Sequence, residues 1–371
     1  MQKLYIISEL FPPDETSTAY ILGEIANASV QEYEVHVICG PKVYDIRKKL
    51  DEEHPFILDH SIRTHRVDNR GLGKESKLNK AVSLFSMSWR LYRVAKKLTR
   101  REDKVLIVTN PAPLIIFISH LKNRIGFDFT LLVHDVFPEN LTQHNLHIPR
   151  FLYSILKKIS DRAYAKADRI IALGRDMKEV LLKKTNADKS VFIVENWADT
   201  VTIQPVPFPS SDKIVIEYAG NIGRAQGLDK IITNLPEGVE LHFYGTGEME
   251  PILKGMNHPG VFFHGPYFRS QQREILGACH ASVVALSDGM YGIGVPSKSY
   301  NIMASGRPII YFGPPKSEIA LTIEENNIGY IGWPSVWDVK ELKMMGERAR
   351  VLAETAFSKS NILNKFLEAI R

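Results

Sequence analysis

A chain of 371 residues is too long for one ordinary core, so two domains are the first expectation. Hydrophobic residues at 44% and charged residues at 24% belong to a soluble globular protein, and the longest apolar stretch, near 113–120, is too short to span a bilayer. The net charge of +5 is uneven: residues 1–200 hold 31 Lys+Arg against 25 Asp+Glu, residues 201–371 hold 16 against 17, so a polyanionic or membrane partner is expected to meet the first half.

In chain order, strands are expected at 4–8, 34–39, 62–67, 105–109, 130–133, 169–173 and 190–194. A second series follows at 214–219, 239–244, 261–264, 281–285, 308–312 and 328–331. Helices are expected at about 18–29, 77–101, 149–166, 175–184, 226–233, 269–278, 297–304 and 338–356. Apolar strands alternating with helices mean parallel sheets covered on both faces. The stretch ENWADTVTIQPVPFPSSDK breaks the rhythm with prolines and serines and reads as a linker between two doubly wound domains. Cys39 and Cys279 lie too far apart to suggest a disulfide framework, and Met1-Gln2-Lys3 runs straight into a strand. A cytoplasmic protein without a signal peptide is therefore expected.

The helix at 77–101 carries Leu78, Val82, Phe85, Trp89 and Tyr92 on one face and Arg90, Arg93, Lys97 and Arg101 on another. A core face backed by a solvated basic face is the ordinary reading, and a helix lying on anionic lipid headgroups is the functional one. No nucleic-acid-binding module is recognisable.

Ligands of open α/β sheets bind beyond the carboxyl ends of the strands, so the residues after each strand are the candidates. SELFPPDETSTAY supplies Thr16, Ser17 and Thr18, one of which caps the next helix and any of which can touch a ligand over the cleft. HDVFPEN sets His134, Asp135 and Glu139 where a histidine or carboxylate orients or deprotonates a hydroxyl nucleophile; a histidine satisfied by its neighbouring aspartate is the competing reading. His144 and His147 follow, but without a cysteine or an H-x-x-x-H spacing no metal site is expected.

In the second half, YAGNIGRAQGLDKII sets Gly220, Gly223 and Gly227 with Arg224 between a strand and a helix. That is a natural anion seat, although it matches neither G-x-G-x-x-G nor a P-loop. FYGTGEME offers Gly245 and Gly247, which let a ligand approach the backbone. VPSKSYNIMASG opens a helix at Pro296 with Ser297 and Lys298 in its first turn. A lysine is disfavoured there by the helix dipole unless an anion accompanies it. Arg224 with the 220–223 turn, and Ser297 with Lys298, are therefore expected to clamp a pyrophosphate without metal, the 245–247 loop taking the attached nucleoside.

Taken in order, LYIISELFPP, HDVFPEN, YAGNIGRAQGLD, FYGTGE and VPSKSYNIMASGRPII resemble the GT-B glycosyltransferases of family 4 along nearly the whole chain. The bacterial subset that builds O-antigens and capsules, fucosamine transferases included, is the most similar. The resemblance implies an α/β fold, GT-B, with two Rossmann-like doubly wound parallel-sheet domains facing a central cleft. Residues 1–198 would form the acceptor side, with a C-terminal helix at 357–371 packing back on it, and 199–356 would bind the donor. The implied reaction is a retaining, metal-independent transfer from a UDP-sugar to a lipid-linked saccharide acceptor in surface-polysaccharide biosynthesis, with no cofactor. Its partners would be the nucleotide-sugar donor, that acceptor and the anionic inner membrane face, with no nucleic acid.

By the same resemblance Gly220, Asn221, Gly223 and Arg224, with Pro296, Ser297 and Lys298, would hold the donor diphosphate. Gly245, Gly247 and the backbone near Phe268 would meet uracil and ribose. His134 and Asp135, with Thr16, Ser17 and Glu139, would face the acceptor, and His134, Asp135, Arg224 and Lys298 would be the catalytic set. The chain departs from the family where its paired glutamates usually stand: Ile293 and Asn301 replace them, so Asn301 inherits the ribose. Asn221 and Gln226 occupy the turn where the family usually has an arginine and a lysine, which leaves the charge to Arg224, and ETST replaces the glycines of the first loop. Two other readings are a UDP-N-acetylglucosamine 2-epimerase on the same architecture and a non-catalytic nucleotide-sugar-binding relative.

Overall fold

The computed structural model describes residues 1–42, 54–68, 77–144, 148–186 and 190–371. The first half runs β1 (Lys3–Ser8), α1 (Ser17–Ser29), β2 (Glu34–Cys39), β3 (Arg63–Arg66), α2 (Lys77–Leu98), β4 (Lys104–Val108), α3 (Leu114–Ile125), β5 (Asp128–Leu132), α4 (Arg150–Tyr164), β6 (Arg169–Ala172), α5 (Arg175–Lys184) and β7 (Ser190–Ile193). Its strands form one parallel sheet in the order β3-β2-β1-β4-β5-β6-β7. The second half runs β8 (Ile214–Ala219), α6 (Leu228–Thr233), β9 (Val239–Tyr244), α7 (Glu250–Gly255), β10 (Val261–Gly265), α8 (Gln272–Gly277), β11 (Ala281–Ala285), α9 (Lys298–Ala304), β12 (Ile309–Phe312), α10 (Glu318–Asn326), β13 (Gly329–Ile331), α11 (Val339–Glu354) and α12 (Lys359–Ile370). Its strands form a second parallel sheet, β10-β9-β8-β11-β12-β13.

The expected doubly wound α/β architecture is therefore present, and the reason is legible in the strands. Val105 to Val108 and Ile170 to Ala172 are buried throughout, as strands covered on both faces must be. Three helices were not expected: α3, α7 and α10. In α3 the sheet-facing set is Leu114, Ile115, Ile118 and Leu121, but the intervening Ile116 and Phe117 are apolar too and hide the period. It ends on Gly126, at φ 86°, whose N–H donates to Lys122 O at 2.8 Å.

The helix α2 differs from expectation in which face it buries. Met87, Leu91, Tyr92 and Ala95 are buried, whereas Val82 is 44% exposed and Phe85 and Trp89 are 49% exposed. The side chain of Leu78 lies outside the described residues, and Arg101 lies beyond the end of the helix. With Ser86 and Phe117, the exposed trio lines a shallow apolar groove.

The last helix, α12, packs against α1 and β6 in the first half. Lys104 Nζ donates to the carbonyls of Ile370 and Arg371 at 2.8 Å each. Where the chain returns, Ala198 pairs with Ser358 and its N–H donates to Phe357 O at 2.8 Å.

Candidate functional site

The two halves enclose a cavity of about 320 Å³. Its first-half wall is Ser17, Tyr20 and Ile21 of α1 with Asp135 from the loop after β5, and Asn196 and Trp197 of the connection close one side. The second half contributes Tyr218 to Asn221 at the end of β8, Tyr267, Arg269, and Gly294 to Lys298 leading into α9. Of the residues singled out in the sequence, Ser17, Asp135, Gly220, Asn221, Pro296, Ser297, Lys298 and Asn301 meet at this wall. Thr16, His134, Glu139, Gly223, Arg224, Gly245, Gly247 and Phe268 do not line it.

Every residue off the wall except Phe268 has a visible structural task. Thr16 caps α1, its Oγ1 accepting from Ala19 N at 3.3 Å. His134 Nδ1 lies 3.1 Å from Thr18 Oγ1, and the backbone N–H of His134 donates to Thr109 Oγ1 at 3.1 Å. Glu139 accepts from Lys157 Nζ at 2.7 Å and Lys184 Nζ at 3.0 Å, so its charge is spent on an ion-pair cluster with Asp161. Burial alone would raise its carboxyl; Lys184 and Lys157 outweigh burial and hold it below the usual range.

Arg224 donates from Nε to Glu248 at 2.9 Å and is about a third exposed. It is engaged outside the cavity, in the kind of ion pair that contributes ~1 kcal/mol at most. Gly223 receives instead the Gln226 side chain, whose Oε1 accepts from its N–H at 3.1 Å and holds the turn. The other two glycines serve close backbone packing. A Cβ on Gly245 would lie 2.0 Å from Gly220 O, and one on Gly247 would lie 2.2 Å from Ile222 O. Gly245 also stands at φ 129°, where a side chain is strained. Phe268 sits between Tyr267 and Arg269, and these two neighbours, not Phe268, reach the wall.

Asp135 and Lys298 face the cavity from opposite halves. Asp135 forms a backbone bridge with Gly294, where a Cβ would come within 2.9 Å of its Oδ1. Its carboxylate opens onto the cleft yet is walled by protein, and desolvation pushes it up to about 6. His134 beside it is pushed down to about 4 by burial, so its imidazole is neutral at pH 7, with Nε2 lacking a hydrogen-bond partner.

Lys298 Nζ is buried with no hydrogen-bond partner and stands 3.3 Å from the centroid of the Tyr218 ring. Burial lowers its amine well below the ordinary lysine value, and Glu217 works in the opposite sense. Asn301 makes two bonds, accepting from Asp199 N at 3.2 Å and donating to Gln272 Oε1 at 2.8 Å, which tie α9 to the connection and to α8.

Several wall residues escaped sequence reasoning. Arg269 lays its guanidinium 3.6 Å from the Tyr20 ring centroid, a contact that crosses the cleft, and the Trp197 ring lies tilted against Tyr20 with centroids 6.2 Å apart. Arg269 lies beside Phe268, close enough in sequence to have been considered, but its partner sits on α1, in the other half. Among the described residues no group of three His, Cys, Asp or Glu side chains gathers as a metal site; His147 and the side chain of His144 lie outside them.

The family described as Glycosyltransferase Family 4 matches residues 18–201. The chain is similar to "Probable glycosyltransferase WbjE" of Pseudomonas aeruginosa, at 27% identity over 100% of this chain and 98% of that one. It is also similar to "Putative colanic acid biosynthesis glycosyl transferase WcaI" of Escherichia coli, at 24% identity over 55% and 57% of the two chains. Among solved structures, HepE of Anabaena in complex with UDP superposes with a TM-score of 0.65 at 14% identity, covering 100% of this chain and 99% of that one, and shares its fold.

Proposed function

Because the family 4 glycosyltransferase match covers residues 18–201 and the fold is GT-B, we propose that the chain is a member of that family and that its cleft transfers a sugar from a UDP-sugar to a lipid-linked saccharide, with retention of anomeric configuration and without metal, in surface-polysaccharide biosynthesis. The observation that carries this reading is Lys298, a buried amine without a hydrogen-bond partner in the cavity wall beside Gly220. A desolvated cation costs free energy that an anion repays, and a diphosphate supplies it. The UDP held by HepE supports uridine as the base, and the stated role of WcaI in colanic acid biosynthesis supports the polysaccharide setting.

As C1 of the sugar parts from the diphosphate oxygen, negative charge grows on the departing UDP, and Lys298 stabilises it. Asp135, the acid among the wall residues, faces the incoming hydroxyl and takes its proton as the new glycosidic bond forms. His134, neutral and held by Thr18, fixes the loop that presents Asp135. For the acceptor, two exposed apolar stripes support a membrane surface. Val82, Phe85 and Trp89 lie on α2, and Phe151, Leu152, Ile155 and Ile159 on α4; α3 packs against both helices. Exposed Arg93, Lys96 and Lys97 accompany the first stripe, a pairing of apolar and basic groups that suits anionic lipid.

Calorimetric titration with UDP, GDP and dTDP in the presence of EDTA tests the donor site. Selective UDP binding is expected, and Lys298→Ala should weaken it by roughly 1.5–3 kcal/mol, about ten- to a hundredfold. Binding of none of the three would overturn the donor reading. Release of a free epimer from UDP-N-acetylglucosamine without acceptor would replace transfer with epimerisation.

A further inference from the structure

Behind Lys298 lies a second buried ionisable group that sugar transfer as described above does not use. Glu217, on β8 next to Tyr218, is 1% exposed, and neither of its carboxylate oxygens has a hydrogen-bond partner. Lys298 Nζ is buried in the same condition, 3.3 Å from the Tyr218 ring centroid and 3.3 Å from where a Cβ on Gly220 would stand. An acid and an amine are thus sealed within electrostatic reach of each other, in a low-dielectric wall that offers neither one a full set of polar partners.

The other groups facing Glu217 offer little to hold its charge. Ser282 lies opposite it in register on β11; its hydroxyl favours the ionised carboxylate but meets neither oxygen at hydrogen-bond geometry, standing instead 3.6 Å from Cys279 Sγ. Tyr218, Tyr244, Tyr267 and Cys279 complete the surroundings, all kept protonated by burial first and by Glu217 second or later. Lys298 is the cation that acts on Glu217, and Glu217 is the charge that acts on Lys298. Burial drives the carboxyl up and the amine down, so both charged forms are disfavoured unless something compensates.

We propose that Glu217 and Lys298 form a proton-sharing pair that holds one proton in the free protein and two when a diphosphate is seated, so that donor binding draws a proton from solution. The inference rests on the reading of Lys298 as a diphosphate ligand. In the free protein the single proton leaves either carboxylate with ammonium or acid with amine, each form nearly balanced in charge. A diphosphate demands the ammonium and repels the carboxylate, so Glu217 takes the second proton. Glu217 is in this sense a positioning residue: it sets the charge on Lys298 without touching the donor.

The test is calorimetric titration with UDP from about pH 7 to pH 8.5, where the terminal phosphate of UDP is itself already ionised, in buffers of low and high ionisation enthalpy. The wild-type protein should take up close to one proton per UDP, and its affinity should fall with rising pH by up to about tenfold per unit. In Glu217→Gln, whose amide mimics the protonated acid, the fall should begin at higher pH, because the free pair can no longer lose its second proton from the carboxyl. Lys298→Met should bind weakly and without pH dependence. UDP binding with no proton uptake and flat affinity would overturn the proposal while leaving the donor site standing. Equal weakening of Glu217→Gln at every pH would likewise reduce Glu217 to packing. Should that variant fail to fold, the wild-type proton count decides alone, and a protein that binds no UDP at any pH overturns the donor site and this inference together.

Discussion

His134 and Asp135 stand side by side after β5 and titrate in opposite senses. Folding lowers His134 from 6.5 to about 4, so between those values the unfolded chain binds a proton that the folded chain refuses. That group costs stability as pH falls through the window and nothing above it. Folding raises Asp135 from 3.8 to about 6, so the folded chain keeps a proton that the unfolded chain loses, and stability is gained as pH falls. The two offset each other between about pH 4 and 6, with cleft water screening the aspartate's share. Asp135→Asn should expose the histidine: urea unfolding at about pH 5, compared with pH 7, should show a larger loss of stability than in the wild type. An unchanged difference between the two pH values would show that Asp135 supplies no offsetting proton, and no loss of stability in the variant at pH 5 would show that His134 is not held neutral. Such roles were only half legible. HDVFPEN flagged a loop whose Asp135 lines the cavity, but nothing in the string tells that Glu139 spends its charge on Lys184 or that Arg224 spends its charge on Glu248, because both partners are set by packing.

At the scale of elements, the central strands were legible because a strand buried on both faces is an unbroken apolar run, whereas the edge strands β3, β7 and β10 are only partly buried; each expected strand is found within a residue or two. Of the short helices, α6, α8 and α9 were expected from their place between strands, whereas α7, of six residues, and α10, of nine, were not, because so few turns show no period. The apolar face of α2 was read correctly as a face, but the structure turns Val82, Phe85 and Trp89 outward. Together with the stripe on α4 this makes a direct prediction. Phe151→Ser with Ile155→Ser should reduce affinity for phosphatidylserine-containing vesicles in co-sedimentation, and Arg93→Glu with Lys97→Glu should reduce it roughly thirtyfold, at about 1 kcal/mol per basic residue removed. UDP affinity should not change. Vesicle binding equal to wild type in both variants would mean that these stripes meet something other than lipid.

On the scale of the whole molecule, the chain ends in the half where it began. Removing residues 359–371 would uncover the sites where Ile362, Phe366, Ala369 and Ile370 are buried and would strip Lys104, itself 8% exposed, of two carbonyl partners. Losing that burial costs on the order of 5 kcal/mol or more. Hydrogen exchange should then show β1, β4 and β6 unprotected while β8 and β11 keep their protection; retained protection throughout would show that the helix is dispensable. The contact of Arg269 with Tyr20 belongs to this scale too, and no reading of either residue's neighbours in sequence could have paired them.

The return of the chain has a mechanical consequence. Covalent connections cross between the halves twice, near Ala198 and near Ser358, and the two crossings are bonded to each other where they pass. Two straps pinned together at one point act as a rivet. They hold the halves in register at that point, and the Asp135–Gly294 bridge, the Arg175–Glu318 ion pair and the Arg269–Tyr20 contact tie the same halves together elsewhere.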